Sequence, residues 1–339
     1  PYNYDVDGKT PDGITVAAGV EQDGSLKDPA TRWGGIMRPI TTSDFEANNI
    51  EFIQFWMMDP YFYDDQMQHT GGDLFFNLGN VSEDILRDGR KSFENGLPTP
   101  ENQNPVDTTS WGIVPAVQNI INVFDNDPAS RPYQDIGLDG LNDEQERAFF
   151  TNPVNQNQYM DKLNAALAGG AITQEAYNKL VEDPSSDNFE YYRSDTWDNL
   201  QASVLERYKR FNGLENNSPT ADQSGTSFQA SNSTLPNVED INRDNTVSEA
   251  ENYFQYRVSL RREDLVVGQN YITNAVEGQG TLANGQPVAV TWYQFKIPVR
   301  DPDKVVGNIQ DFRSIRFMRM YFKGFEDSVI TRFARLELV

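Results

Sequence analysis

Near both ends of this chain apolar and polar residues alternate one by one, whereas in its middle the apolar positions recur three and four apart. The first pattern predicts strands and the second predicts helices. The stretch from Gly72 to Pro98 opens as a strand, with Leu74, Phe76 and Leu78 on one face and Asp73, Phe75 and Asn77 on the other. Gly79-Asn80 breaks it, Ser82 can cap a short helix whose first turn carries Glu83 and Asp84, and Glu94 to Pro98 reads as a second turn. Ile50 to Met58 is apolar on both faces and reads as a central strand ended by Asp59-Pro60; with the strand at Asp73 it predicts a hairpin-like pair. Between Trp111 and Phe124, Pro115 allows either two short elements or a helix beginning near it. Val117, Ile120, Ile121 and Phe124 favour the helix.

From Asp125 the helical spacing takes over. Asn142 caps a helix with Gln145 in capping-box position, a second helix runs from Tyr159 to a stop at Gly169-Gly170, and Thr173 caps a third. Ser194 caps a fourth, with Trp197, Leu200, Val204, Tyr208 and Phe211 in register. The polar tract 212–236 holds too little apolar surface to order itself and predicts a mobile loop. Strands return beyond Ala250, in YFQYRVSL, in a hairpin around Ala283-Asn284-Gly285, and in the two final runs. The fold class is therefore mostly β: a jelly-roll-like antiparallel β-sandwich interrupted by an α-helical, calcium-loop-containing insertion. Residues 1–125 form the first part of the sandwich, 126–250 the insertion and 251–339 the second part.

Composition narrows the chemistry. A net charge of −23 repels phosphate backbones and anionic lipid, so nucleic acid is not a partner, while a carboxylate-rich surface suits divalent cations. No cysteine is present, which removes disulfides and thiolate chemistry. No run reaches the roughly 20 apolar residues of a membrane helix. The start at Pro1 without a signal-like segment reads as a piece of a longer precursor. His69, the only histidine, sits in a polar turn and reads as a surface residue; no nucleophile elbow, P-loop or HExxH is present. The early glycine- and aspartate-rich residues read as turns and short edge strands. Asp5 and Asp7 fit turn chemistry better than a metal site. The five tryptophans fit core packing better than a sugar platform.

Two runs have calcium-loop spacing. In DIGLDGLNDEQE, Asp135, Asp139 and Asp143 stand at loop positions one, five and nine, Gly140 at the sharp turn, Leu141 at the carbonyl position and Glu146 at twelve. In DINRDNTVSEAE, Asp240, Asn242, Asp244, Ser248 and Glu251 take positions one, three, five, nine and twelve, and Thr246 offers its carbonyl. Calcium requires such spacing because a tight loop must aim several oxygens at one point. Gly137 removes one ligand from the first loop, and Asn245 replaces the turn glycine of the second. Both read as structural Ca2+ sites made of a loop and one following helix.

Several long runs carry a family resemblance: NNIEFIQFWMMDP, GGDLFFNLGNVSEDILRDGRKSFENGLP, WGIVPAVQNIINVFDND, DIGLDGLNDEQE, NVEDINRDNT and SIRFMRMYFKGFEDSVITRFARLEL. In this order, from about residue 44 to the C-terminus, they resemble the SprA/Sov family, the outer-membrane translocon of the Bacteroidota type IX secretion system, also known for gliding motility. The resemblance implies a very large barrel through which folded cargo crosses the outer membrane. As partners it implies the remainder of that barrel, a small shuttle protein and a plug protein of the outer membrane, and secreted cargo. It implies no catalytic residues. The chain then reads as a non-enzymatic domain that caps or shapes the pore exit or contacts cargo. It stands on the extracellular side, where such barrels carry their long loops, with a periplasmic position left open. The other readings are a carbohydrate-binding jelly-roll module at the cell surface, which a face of exposed tryptophans would favour, and a glycosidase, which needs two carboxylates roughly 5–9 Å apart in a cleft.

Overall fold

The computed structural model describes residues 21–22, 25–63, 68–109, 111–118, 121–125, 127–151, 159–216, 218–219, 233–281 and 285–339. Asp5, Asp7, Ile120, Ala283, Asn284 and most of the polar tract lie outside the described residues.

The first three strands among the described residues are β1 (Trp33–Pro39), β2 (Phe52–Met58) and β3 (Asp73–Asn80). A ribbon of two short strands follows, β4 (Val106–Thr108) and β5 (Ile113–Pro115). Among the described residues six helices come next: α1 (Arg131–Gln134), α2 (Asp143–Thr151), α3 (Tyr159–Ala168), α4 (Gln174–Glu182), α5 (Asp195–Asn199) and α6 (Val204–Lys209). The remaining strands are β6 (Asn252–Ser259), β7 (Ile272–Thr281), β8 (Pro287–Pro298), β9 (Lys304–Val306), β10 (Phe317–Lys323) and β11 (Phe333–Leu338). Two compact units result. One comprises Asp28–Val81 with Ala250–Val339, and the other Ser82–Glu249 with the described residues before Asp28. The insertion thus begins at Ser82, and the expected boundary at 125/126 falls inside it. One reason is local: the Val123 N–H donates to Thr234 O and the Asp125 N–H to Gln134 Oε1, both at 2.8 Å, which ties residues before that position to residues after it.

The first unit is an antiparallel sandwich. Its sheets have the orders β1-β10-β3-β6-β9 and β11-β2-β8-β7, with every pairing antiparallel. Alternation in β3 places Leu74, Phe76 and Leu78 fully inside, as its sequence predicts. β2 and β3 are not a hairpin. Each carries an apolar face too large for one sheet to cover, and the chain crosses between sheets so that the two faces meet. Phe55 of β2 lies 5.3 Å from Phe76 of β3 between ring centroids and stacks on Phe295 of β8 at 4.8 Å. Each such burial stabilises by about 1.5–3 kcal/mol. Covered on one face by this core, β2 leaves Phe52 and Trp56 half-buried on the other, rather than buried on both. β1 is an edge strand, as the turn-rich N-terminal composition predicts.

Polar ends are anchored inside the same unit. The Tyr61 hydroxyl donates to Leu260 O and the Tyr256 hydroxyl to Val299 O, each at 2.5 Å. His69 is half-buried rather than a surface residue: Nδ1 accepts the Gly71 N–H at 3.1 Å, and Nε2 lies 3.3 Å from Ser328 O, against the rings of Tyr61 and Phe325. Four tryptophans are half-buried and only Trp33 is exposed, edge-on to Tyr321.

The inserted unit has a smaller apolar core, in which Phe149, Phe150, Tyr159, Leu163 and Ile172 close α2, α3 and α4 on one another. The caps form where the sequence places them. Asn142 and Gln145 bond reciprocally at 3.0 Å, and Thr173 Oγ1 accepts the Ala176 N–H. The expected fourth helix is two helices. Gln201 turns into the left-handed region, and Ser203 with Glu206 forms a capping box that restarts the helix at Val204. Leu200, Val204 and Tyr208, predicted as a buried stripe, are exposed. Pro115 ends β5 instead of starting a helix, leaving Val117 and Ile121 exposed. After Ser82 no helix forms; the acidic residues there turn inward. Among the described residues no helix is long and apolar enough to cross a membrane.

Candidate metal centre

Charge is distributed unusually in the inserted unit. Nine acidic side chains are buried among its described residues: Glu83, Asp84, Glu94, Asp139, Glu146, Asp187, Glu215, Glu239 and Asp240. The buried basic side chains among the described residues are Lys91 and Arg131. An unpaired buried charge costs several kcal/mol, so such a unit requires protons or added cations.

The first loop supplies the tightest cluster. α2 begins at Asp143, which puts Glu146 one turn in and aims it back at Asp139. Asp139 is fixed on both sides: its Oδ1 accepts the Leu141 N–H at 2.9 Å, and its backbone carbonyl accepts the Ile113 N–H at 2.9 Å. The turn after α4 brings in Asp187. Carboxylate oxygens of Asp139, Glu146 and Asp187 lie within 4.8 Å of one another, and all three residues are buried. A second group, Asp143, Glu146 and Asp183, meets the same limit and shares Glu146. Asp187 Oδ2 accepts the Leu138 N–H at 2.7 Å, while its Oδ1 is buried without a hydrogen-bond partner. Ser185 closes the cluster, its N–H donating to Glu146 at 3.2 Å and its hydroxyl to Asp139 at 2.5 Å. Two glycines make room. Gly140 holds a φ of +71° at the sharp turn, as its loop position predicts, and Gly137 holds +124° with Asp187 packed against its α-carbon.

Burial first, and then the charges of their neighbours, push the carboxyls of Asp139, Glu146 and Asp187 above the ordinary carboxylate range. A set of hard oxygens in a low-dielectric pocket, in which Asp187 raises Asp139 and both raise Glu146, is the kind of donor set that calcium takes. The structure brings Asp139, Asp143 and Glu146 together, but not Asp135. That residue pairs with Arg131 at 2.8 Å, the guanidinium also donating to Ser218 O. Asp183 and Asp187 lie outside both loop patterns and are not among the ligands that the sequence spacing predicts. The spacing of two aspartates four apart in a turn was the available signal.

The second loop folds as a series of Asx turns. Asp240 Oδ1 accepts the Asn245 N–H at 3.2 Å, Asn242 Oδ1 the Asp244 N–H at 3.0 Å, and Asp244 Oδ1 the Thr246 N–H at 3.0 Å. Asn245 has a φ of +66°, the left-handed conformation expected where it replaces glycine. The loop runs into β6, not into the predicted helix. Glu251 is committed to Arg319, accepting from Nη1 and Nη2 at 2.9 and 3.0 Å. Ser248 instead meets Glu83: the Glu83 N–H donates to Ser248 O at 2.7 Å, and the Ser248 N–H donates to Glu83 Oε2 at 3.3 Å.

Fold and site together define a two-sheet antiparallel sandwich that carries a carboxylate-centred insertion. The chain belongs to the SprA_N family, motility related/secretion protein, whose profile matches residues 158–339, more than half of its length. The match begins inside the insertion and runs through every strand from β6 onward. It establishes the family that the sequence runs resemble, and with it a motility- and secretion-related role at the cell envelope. No curated protein matches the chain.

Proposed function

We propose that this chain is a non-catalytic domain of the outer-membrane translocon of the Bacteroidota type IX secretion system, placed on the extracellular side, where it caps or shapes the pore exit or contacts cargo. Its partners are the rest of the translocon barrel, the shuttle and plug proteins, and secreted cargo. The single observation that carries the reading is the family match over residues 158–339. The acidic composition supports it, because calcium is plentiful outside the cytosol and the buried acidic side chains of this unit need protons or cations. Calcium held at the two loops is structural and organises the insertion. At the first loop Asp139, Glu146 and Asp187 are the ligands, with Asp143 and Asp183 beside them.

The test replaces residues 82–249 by a short glycine–serine linker in the full-length protein in its own cells. The two strand ends that the linker joins are register partners, Asn80 and Asn252, so the sandwich is preserved. Envelope levels of the protein should hold while cargo accumulates inside the cells. Undiminished export would remove the proposed role.

A further inference from the structure

The two carboxylate groups of the first loop differ in depth. Asp139, Glu146 and Asp187 are buried, Asp143 and Asp183 are half-buried, and Glu146 belongs to both groups. The inner group is walled by backbone. Gly112 packs against Asp139, Gly140 against the Ile113 carbonyl and Gly137 against Asp187, each too closely to admit a β-carbon. Ser185 covers a further side through its bonds to Glu146 and Asp139. Asp187 Oδ1 nevertheless stands inside, buried and without a hydrogen-bond partner, so the inner group still calls for a cation. The half-buried side is the one that Asp143 and Asp183 line. Asn188 spans these two residues: its Nδ2 donates to Asp143 Oδ1 at 2.9 Å and its N–H to Asp183 Oδ2 at 3.3 Å. Asp183 Oδ1 accepts the Asp187 N–H at 3.0 Å, which fastens the outer group to the inner one. A carboxylate has about four acceptor positions, so these bonds leave room for an ion in passage.

We propose that calcium reaches the inner group through the outer one, with Glu146 as the ligand common to both stations. Asp143 and Asp183 receive the ion, and Glu146 stays bound while Asp139 and Asp187 replace them. The inner group is the resting place, because its walls are closed and one of its oxygens has no other partner. Asp143 and Asp183 are therefore positioning residues that set the rate of exchange and not the number of ions held. Calcium suits such a transfer because it tolerates six to eight oxygens in flexible geometry. This inference rests on the calcium reading of the first centre and adds the route to it.

The test follows calcium release from the calcium-loaded chain after rapid mixing with excess fluorescent chelator, for the wild type and for Asp143→Asn, Glu144→Gln and Asp139→Asn. The phase that is missing in Asp139→Asn belongs to the inner group. In Asp143→Asn that phase should keep its amplitude and slow by about tenfold or more, since one charge is lost from the route. Asparagine retains an acceptor for Asn188, so the outer group stays assembled. Glu144 is an exposed acid of the same helix turn outside both groups, and Glu144→Gln should leave the rate unchanged. Loading of the metal-stripped chain with calcium chloride should also slow in Asp143→Asn, at an equal calcium count. An unchanged or faster phase in Asp143→Asn overturns the route. An equivalent lost in that variant overturns it too, by making the outer group a resident site, as does equal slowing in Glu144→Gln, which reduces the effect to surface charge. A wild type with no phase sensitive to Asp139→Asn overturns the route and the calcium reading of this centre together.

Discussion

The carboxylate of Asp187 occupies the space that a side chain at Gly137 would need: a β-carbon there would stand 2.6 Å from Asp187 Oδ2. Gly137 also holds a φ of +124°, a conformation open to glycine and almost closed to other residues. Gly137→Ala should therefore cost about 1–3 kcal/mol in backbone strain and displace Asp187 from Asp139 and Glu146. The expected result is weaker calcium binding at the first centre from a substitution that removes no ligand. Calorimetric titration beside Asp139→Asn checks it; unchanged affinity would show that Asp187 does not serve the ion.

Two acids outside either centre, Glu215 buried and Asp135 half-buried, set a pH dependence. Burial is the main cause that pushes Glu215 up to about 8 and Asp135 up to about 7, the latter despite its Arg131 partner. A carboxyl raised in the folded state binds its proton more tightly there than in the unfolded chain. Its stabilising contribution is complete below the unfolded value near 4 and is lost as pH rises through 7 to 8. In chelator, the melting temperature of the inserted unit should fall between pH 5 and pH 8, and Glu215→Gln should flatten that slope. Melting curves across this range decide it, and a rise toward pH 8 would contradict the assignment.

Phe55 connects the two sheets, touching Phe76 and Phe295 with no exposure to solvent. Phe55→Ala should destabilise the sandwich by about 3–5 kcal/mol. Because the site lies in the sandwich core, calcium stoichiometry should be unaffected when measured below the lowered melting temperature. Chemical denaturation paired with calcium titration separates the two effects.

Ser203 and Glu206 cap α6 reciprocally, and the helix is solvent-exposed on most sides. Ser203→Ala should cost about 1 kcal/mol, confined to α6. Hydrogen exchange should quicken at residues 206–210 while the cooperative melt stays put.

What could be read from the sequence was what neighbouring residues decide. The inward face of β3 followed from alternation at Leu74, Phe76 and Leu78, and the caps at Asn142 and Thr173 followed from side chains three residues from the amides they serve. The break before Val204 was written in Ser203-x-x-Glu206, but the apolar spacing of Leu200, Val204 and Tyr208 ran across it and suggested one longer helix. Partners brought from afar were not legible. Asp187 lies 48 positions from Asp139 by numbering, and Glu83 lies 165 positions from Ser248. A loop pattern also carries no information on competitors, so Arg131 and Arg319 claimed Asp135 and Glu251 unannounced.

The register of β3 against β6 sets the order of assembly. Asn80 pairs with Asn252, and these central strands cannot meet until roughly 170 intervening residues have been gathered, a closure that costs roughly 4–5 kcal/mol for a flexible chain. A folded insertion removes much of that cost, since Glu83 and Ser248 are already bonded to each other at its base. On the calcium reading, a newly made chain in a calcium-poor compartment would hold its two halves of sandwich apart. Arrival where calcium is abundant would then complete the protein, making maturation a response to place.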